Sequence, residues 1–202
     1  MTLYAIGDIH GQMDMLVHAL GLIKAEGGSD AEIVFVGDYT DRGPQSRAVI
    51  EYLIQEKEAG RPWVCLKGNH DRLFSRFIRE GRIDDPAIKS GKTWLHNRLG
   101  GPMTLASYLN TTPIAFDAIS DAFGGPRSNN AGLEDLVAAA QHDVPSEHID
   151  FLDSLPLTYE TDTHLFVHAG IRPRVALENQ TEDDLIWIRE PFFAQTAPFE
   201  KI

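Results

Sequence analysis

Four short polar clusters, each directly preceded by a short apolar run, constrain the fold of this chain more than any other feature. The clusters are Gly7-Asp8-Ile9-His10-Gly11, Gly37-Asp38-Tyr39-Thr40-Asp41-Arg42-Gly43, Gly68-Asn69-His70-Asp71 and His168-Ala169-Gly170. The apolar runs are Leu3-Tyr4-Ala5-Ile6, Ile33-Val34-Phe35-Val36, Trp63-Val64-Cys65-Leu66 and Leu165-Phe166-Val167. They are rich in β-branched and aromatic residues and too short for isolated helices, which indicates buried strands. Because the loops after the strands of an open α/β sheet converge at one edge, the four clusters are predicted to meet in space.

Between these runs, apolar residues recur at helical spacing and predict β-α-β units, so the expected fold class is α/β. Helices are predicted over residues 13–25, from Pro44 to near Gly60, and after Asp71. The alternation lapses between about residues 81 and 145. There we expect a mostly helical insertion that either covers the polar edge or forms a passive outer layer. Residues 1–202 are predicted to form a single domain that includes this insertion.

Composition and charge exclude several classes of protein. The chain has 202 residues, 43% of them apolar, and its apolar runs are short, so one core and no membrane span are expected. The first predicted strand begins at Leu3 and leaves no room for a signal peptide, which favours a cytoplasmic protein. A net charge of −12 opposes a nucleic-acid polymer as partner. The single cysteine, Cys65, excludes an intrachain disulfide and a thiolate metal cluster.

The clusters carry the oxygen and imidazole groups that a two-metal centre needs. Asp8 and His10 flank one apolar residue in an extended segment, so both can face the same cation. The Asp38 carboxylate has lone pairs for two cations and could bridge them, while Asn69 and His168 would complete a second site. Two cations about 3.5–4 Å apart can clamp a phosphoryl group and generate a metal-bound hydroxide at neutral pH, which is the expected nucleophile.

A separate pair of residues is suited to proton transfer. His70 directly follows a predicted metal ligand, and its expected task is to protonate the departing alkoxide as a general acid. Asp41 could accept a hydrogen bond from His70, which would orient the ring and raise its pKa. Arg42 offers a forked donor for phosphate oxygens. These residues predict hydrolysis of a phosphoric ester.

Each cluster also has a structural interpretation when it is considered alone. Gly-Asp after a strand is often a turn or a helix cap, Asp-Arg-Gly can be a surface salt bridge, and Asn can adopt a left-handed conformation. The joint occurrence of all four clusters, in one order and after four strand-like runs, favours the metal site. The other histidines lack such context and are expected to be surface or packing residues: His18, His96, His142, His148 and His164.

The clusters resemble the motifs of the phosphoprotein phosphatase (PPP) family within the calcineurin-like metallophosphoesterases, and more specifically the bacterial serine/threonine protein phosphatases. Those motifs run G-D-x-H-G, G-D-x-x-D-R-G, G-N-H-E/D and H-G/A-G. The likeness extends from Leu3 to Glu190 and includes two features common in bacterial members, Trp94-Leu95 and Thr104-Leu105-Ala106-Ser107-Tyr108. It implies a β-sandwich flanked by helices and two divalent metal ions, with Mn²⁺ expected and Fe or Zn as alternatives.

The resemblance also implies a role for each site residue. The first metal would be held by Asp8, His10 and Asp38, and the second by Asp38, Asn69 and His168. The acid dyad would be Asp41 and His70, and the phosphate-binding arginines would be Arg42 and Arg189.

Two positions depart from the family pattern. Lys67 stands where the family often has arginine, so a phosphate contact there is expected to be weaker or absent. The family's last histidine ligand, from a G-H-T segment, is not found before Ile202. We therefore expect the second metal site to be one ligand short and the closing strands of the sandwich to be missing, as in an incomplete version of a longer protein.

Three functions are consistent with these residues. The first is hydrolysis of phosphomonoesters, on serine, threonine or tyrosine side chains of phosphoproteins or on small phosphorylated molecules. The second is symmetrical hydrolysis of dinucleoside tetraphosphates. The third is a degenerate domain that binds metal or a partner without catalysis. The presence of Asp41 and His70 beside intact ligands argues against it.

Overall fold

The computed structural model describes residues 2–109, 114–125 and 132–194. Its elements are β1 (Leu3–Ile6), α1 (Met13–Gly27), β2 (Glu32–Phe35), α2 (Ser46–Glu58), β3 (Trp63–Cys65), α3 (Asn69–Glu80), α4 (Gly101–Leu109), α5 (Ile114–Phe123), α6 (Leu133–Asp143), α7 (Ser146–Ser154), β4 (Thr158–Glu160), β5 (Leu165–Val167), a 3₁₀ turn (Leu177–Asn179), α8 (Glu182–Trp187) and α9 (Glu190–Phe193). This mixture of short strands and helices confirms the predicted α/β class.

The first three apolar runs form one parallel sheet in the order β1-β2-β3. Leu3 lies opposite Glu32, and Ile33 lies opposite Trp63. The central strand β2 is the most buried, since Val34 and Phe35 have no exposed surface. Helices α1 and α2 connect the strands as crossovers, as parallel pairing requires. The three polar clusters after these strands therefore lie at one edge of the sheet.

The fourth apolar run does not join this sheet, which corrects the expectation of one edge for all four clusters. Strand β5 pairs antiparallel with β4, with Thr158 opposite Val167, as a separate two-stranded sheet. The sequence analysis did not predict β4. His168 nevertheless reaches the first sheet, because its Nδ1 donates to the carbonyl of Val36 just after β2, at 2.7 Å.

Helix α3 begins three residues earlier than predicted. The expected start was after Asp71, but the helix begins at Asn69. The reason is that the Asp71 carboxylate accepts a hydrogen bond from the Gly68 amide at 2.9 Å and so caps the first turn. His70 therefore lies on a helical turn and not in a flexible loop.

The region between residues 81 and 145 contains three of the helices, α4, α5 and α6, with an irregular segment before them. Trp94 in that segment is fully buried. Its ring lies 4.9 Å from that of Phe77 and 5.8 Å from that of Phe74, measured between centroids, and both are on α3. This region thus contributes to the core, while its boundaries and the single domain over 1–202 remain predictions. Among the described residues, no helix has the length and apolar character needed to cross a membrane.

Candidate metal centre

The loops after β1 and β2 and the start of α3 converge on Asp38. The amides of Ile9 and His10 both donate to the Asp38 carbonyl, at 3.0 and 2.8 Å. The amide of His70 donates to the Asp38 carboxylate oxygen Oδ1 at 2.9 Å. These bonds hold three loops in register around one carboxylate whose other oxygen, Oδ2, faces two histidines.

The backbone at the site adopts a conformation that side chains disfavour. In the part of the chain that the structure describes, five non-glycine residues have a positive φ, and four of them are predicted site residues: His10 (45°), Asp38 (57°), Asp41 (73°) and Arg42 (64°). Such residues cost about 1–3 kcal/mol each and persist where the surrounding structure determines them, which is typical of functional sites.

Two glycines allow the loops to approach this closely. A Cβ on Gly43 would overlap the carbonyl oxygen of His10, and a Cβ on Gly68 would overlap the amide and carboxylate of Asp38. At both positions the neighbour is backbone or a fixed ligand that cannot move aside. Gly43 and Gly68 are therefore required by contact between loops.

Two groups of potential ligand atoms share Asp38. His10, Asp38 and His70 form one group, here called the buried trio, and Asp8, Asp38 and His168 form the other, the open trio. Within each trio the ligand atoms lie within 4.8 Å of one another. Asp38 Oδ2 lies 3.6 Å from both His10 Nε2 and His168 Nε2. This position is what a carboxylate that bridges two cations needs.

The histidine rings are oriented as ligands. Nδ1 of His10 donates to the Thr40 carbonyl at 2.7 Å, so Nε2 carries the free lone pair. That Nε2 is buried and has no hydrogen-bond partner. Burial lowers the pKa of His10 more than the Thr40 carbonyl and Asp38 raise it, which favours the neutral ring that binds metals. An orphaned buried nitrogen is costly, and a divalent cation would satisfy it.

Asn69 and His168 also present lone pairs that fit a second cation. Because His168 donates from Nδ1, the neutral ring presents a lone pair at Nε2. Nε2 lies 2.9 Å from the amide oxygen Oδ1 of Asn69, which is also an acceptor. Two facing acceptors are explained when both bind one ion. Asp8 is the most open member of the site, with 52% of its side chain exposed, and its Oδ2 lies 3.8 Å from His10 Nε2.

His70 and Asp41 form the expected dyad. Nδ1 of His70 donates to Asp41 Oδ2 at 2.6 Å, and both side chains are buried. Burial lowers the pKa of His70, but the hydrogen bond and charge of Asp41, with the charge of Asp38, outweigh it and leave the pKa raised. The ring edge opposite Asp41 faces the ligand cluster, so His70 has the position that either a general acid or a third ligand of the buried trio needs.

The sequence analysis assigned no role to three side chains that support this dyad and the loops. Asp71 accepts hydrogen bonds from the amides of Asp38, Tyr39 and Gly68, each at 2.9 Å. Burial beside Asp38 raises the pKa of Asp71 to about 7. Trp94 and Thr104 both donate to the Asp41 carboxylate, at 2.7 Å. All three belong to motifs quoted above, so the signal was present, but spacing alone could not show which atoms they contact.

The basic residues divide between the site and the surface. Arg42 is exposed, and its Nη2 lies 3.3 Å from His70 Nε2, within reach of a phosphate beside the dyad. Lys67 donates to the Asp153 carbonyl at 3.1 Å, away from the ligand cluster. Arg189 is exposed before α9 and, within the described residues, its side chain makes no hydrogen bond or ion pair with the ligand cluster. Its phosphate-binding role remains a prediction.

Comparison with known proteins identifies the group to which this chain is related. The sequence profile of the calcineurin-like phosphoesterase family matches residues 1–195. The chain belongs to this family. Its members use divalent metal ions, as the orphaned His10 nitrogen and the shared Asp38 also suggest here. The PPP subtype remains a prediction.

Several curated members of the calcineurin-like phosphoesterase family are similar over most of this chain. The symmetrical bis(5'-nucleosyl)-tetraphosphatase of Janthinobacterium sp. (strain Marseille) is 31% identical over 190 residues, which is 90% of this chain and 50% of the relative. Shewanella-like protein phosphatase 2 of Arabidopsis thaliana is 26% identical over 204 residues, which is 92% of this chain and 51% of the relative. The chain thus spans about half the length of these relatives.

A solved structure supports the same fold. The crystal structure of a protein assigned provisionally as a diadenosine tetraphosphatase is 21% identical and superposes with a TM-score of 0.53. The match covers 90% of this chain and 55% of that protein. At this identity the likeness confirms the calcineurin-like fold and carries no statement about substrate.

Proposed function

We propose that this chain carries a hydrolase of phosphoric esters that depends on two divalent cations. The observation that carries the proposal is the sharing of Asp38 by two ligand trios, with the His70–Asp41 dyad alongside. The proposed ligands are Asp8, His10 and Asp38 for the first ion, and Asp38, Asn69 and His168 for the second. Mn²⁺ is the proposed metal, with Fe or Zn as alternatives, since imidazole and carboxylate ligands suit all three.

The protein groups have separate tasks around the phosphate. When bound, the cations would polarise the phosphoryl group and activate water for attack. Arg42, exposed beside the dyad, would donate to phosphate oxygens. His70, held at Nδ1 by Asp41, would give the proton on Nε2 to the leaving oxygen as the bond to phosphorus breaks. The raised pKa of His70 favours the protonated ring that this step needs.

The dyad favours phosphomonoesters with a poor leaving group. An alkoxide such as that of serine or threonine is a strong base and leaves readily only when it is protonated, so a firmly held acid accelerates this reaction most. A phosphate leaving group is a weaker base and gains less from the acid. Phosphoserine and phosphothreonine side chains of proteins, and phosphotyrosine less strongly, are therefore the substrates that the site supports best.

A dinucleoside tetraphosphate is the second candidate substrate. The support for it comes from the relatives, because the Janthinobacterium protein, with 31% identity over 90% of this chain, is named a symmetrical bis(5'-nucleosyl)-tetraphosphatase. A third reaction of the same class is represented by the zinc-dependent endopolyphosphatase of Saccharomyces cerevisiae, 24% identical over 83% of this chain. All three substrates place a phosphorus atom between a water and a leaving oxygen.

One assay series tests the function and ranks the substrates. The protein is loaded with Mn²⁺, Fe²⁺ or Zn²⁺ in turn and offered a phosphoserine peptide and diadenosine tetraphosphate at equal concentrations. Phosphate release with a higher kcat/KM on the peptide is the expected result. Release of nucleoside diphosphate with a higher kcat/KM would reverse the order of the two substrates. No turnover of either substrate, or of an aryl phosphate, with any of the metals would refute the hydrolase proposal and leave a non-catalytic metal-binding domain.

A further inference from the structure

The carboxylate of Asp41 is fixed by His70 and by two groups that come from outside the four clusters. Asp41 is completely buried, and its φ is 73°. Its oxygen Oδ2 accepts from His70 Nδ1 and from Trp94 Nε1, at 2.6 and 2.7 Å. Its other oxygen, Oδ1, accepts from the Thr104 hydroxyl at 2.7 Å. Two of the three side-chain donors therefore belong to the region between residues 81 and 145.

Thr104 holds both ends of Asp41. Its hydroxyl accepts a hydrogen bond from the Asp41 amide at 2.7 Å and donates to Asp41 Oδ1 at the same distance. Ser46 supports the arrangement, since its hydroxyl lies 3.2 Å both from the Asp41 amide and from the Thr104 hydroxyl. A single hydroxyl thus sets the rotation of the carboxylate relative to the backbone from which it projects.

Trp94 ties the same carboxylate to the helix that carries His70. The indole is fully buried and packs on Phe74 and Phe77, which follow His70 on α3. There is no room for a side chain at Gly101, where a Cβ would lie 2.5 Å from the indole. The indole nitrogen and the imidazole nitrogen are therefore held at fixed positions and meet at one oxygen of Asp41.

We propose that Trp94 and Thr104 are positioning residues for the general acid: they hold the Asp41 carboxylate so that its Oδ2 receives the His70 Nδ1 proton and the ring presents Nε2 to the leaving oxygen. This inference rests on the proposed function. It also gives the region between residues 81 and 145 a role in the site, in place of a passive outer layer. Without these two donors a buried carboxylate would rotate to seek other partners, and the imidazole would lose its fixed orientation.

Two substitutions that keep the packing test the proposal. Thr104→Val removes only the hydroxyl, and Trp94→Phe removes the indole donor but keeps an aromatic ring. We expect each substitution to lower kcat on a phosphoserine peptide about tenfold. This is the usual effect of removing a hydrogen-bond partner that orients a functional side chain. KM should stay unchanged, and kcat on p-nitrophenyl phosphate, whose leaving group needs little protonation, should fall less than threefold.

Two further variants separate positioning from loosened packing. Thr104→Ser keeps the hydroxyl and should restore kcat on the peptide to within about twofold of the wild type. Ser107→Ala removes a different hydroxyl from the same helix. The Ser107 hydroxyl accepts from the Arg47 amide and donates to the Thr104 carbonyl but does not contact Asp41. The substitution should leave both substrates unaffected. Equal losses on the two substrates, or a loss in Ser107→Ala as large as that in Thr104→Val, would overturn the proposal.

A spectroscopic measurement on the metal-free protein gives a readout that does not depend on turnover. A hydrogen bond of 2.6 Å from His70 Nδ1 to Asp41 should give a proton resonance far downfield, identified by its loss in His70→Asn. In Thr104→Val and Trp94→Phe this resonance should shift upfield or disappear. An unchanged resonance in both would overturn the positioning role. If the wild type hydrolyses neither substrate, the proposed function fails, and this resonance alone decides the inference.

Discussion

The two ligand trios differ in how they are built, although they share Asp38. All three side chains of the buried trio are buried, and they come from the loops after β1 and β2 and from the first turn of α3. In the open trio Asp8 is 52% exposed, whereas the His168 side chain is only 8% exposed and comes from the second, two-stranded sheet. The ion proposed on Asp8, His10 and Asp38 would thus be held by two neighbouring loops. The ion proposed on Asp38, Asn69 and His168 would depend on a distant segment.

This difference shows which part of the centre the local sequence determines. In the buried trio, the loop after β1 donates to the Asp38 carbonyl and the His70 amide donates to the Asp38 carboxylate, so the backbone geometry is set within the first 80 residues. The open trio depends on how the loop after β5 docks on Val36. We therefore expect the ion proposed on Asp8, His10 and Asp38 to bind more tightly than the ion proposed on Asp38, Asn69 and His168.

The largest effect is expected from the residue common to both trios. Asp38→Asn removes the shared negative charge, and we expect kcat to fall by about a thousandfold or more, equivalent to about 4 kcal/mol of transition-state stabilisation. Elemental analysis should show fewer than two ions per chain. Asp14→Asn, an exposed carboxylate on α1, is the matched control and should behave as the wild type. Full activity in Asp38→Asn would contradict the shared site.

A stability measurement compares the supports of the two trios. Asp71 bonds three buried amides beside the buried trio, so Asp71→Ala should lower the free energy of unfolding by about 3 kcal/mol. Asp184 supports α8 beside the open trio by accepting a hydrogen bond from the amide of Thr181, the N-cap residue, and by pairing with exposed Arg172. Asp184→Ala should lower the free energy of unfolding by about 1 kcal/mol. Denaturant unfolding of both variants measures this order. The reverse order would mean that the open trio has the firmer support.

The next effect decides what His70 does within the buried trio. If His70 is the general acid, His70→Asn should lower kcat on a phosphoserine peptide about a hundredfold and leave the metal content unchanged. Turnover of p-nitrophenyl phosphate should fall much less, because its leaving group needs little protonation. A loss of one ion per chain in His70→Asn would instead make His70 a ligand, as its place in the trio allows.

The smallest effect separates the two cation positions directly. His168→Ala should lower activity about tenfold at limiting Mn²⁺ and recover most of it at excess Mn²⁺, because it removes a ligand that a distant segment supplies and leaves the other ligands of that ion in place. His10→Ala should recover less, because its nitrogen is buried and no other side chain replaces it. Titration of activity with Mn²⁺ measures both. Equal recovery of the two variants would contradict the difference between the trios.

Much of the fold could be predicted because it depends on local patterns. The runs at Leu3–Ile6 and Leu165–Val167 form strands with those bounds, and α1 begins at Met13 as its spacing indicated. The assignment of β5 to a separate sheet could not be predicted, because pairing with β4 depends on a partner strand of only three residues, Thr158–Glu160. Short strands of this kind carry too few alternating residues to be recognised.

The candidate site shows the same division. The cluster residues could be proposed as ligands because their type and order are specific, and the structure brings Asp8, His10, Asp38 and His168 together. The partners of Asp41 could not be proposed, because Trp94 lies 53 positions away in sequence and packs like any core aromatic residue. Contacts between distant side chains depend on the tertiary packing, which a single sequence does not reveal.

The contact of Gly43 and Gly68 with neighbouring loops separates catalysis from folding in this protein. Since the main chain itself determines where each ligand stands, replacing a ligand by a side chain of similar shape removes chemistry and leaves the scaffold intact. Variants such as His70→Asn, which keep the proposed metal ligands, should therefore remain folded and bind a phosphoserine peptide while consuming it slowly. A substitution at either glycine, in contrast, should abolish folding and catalysis together.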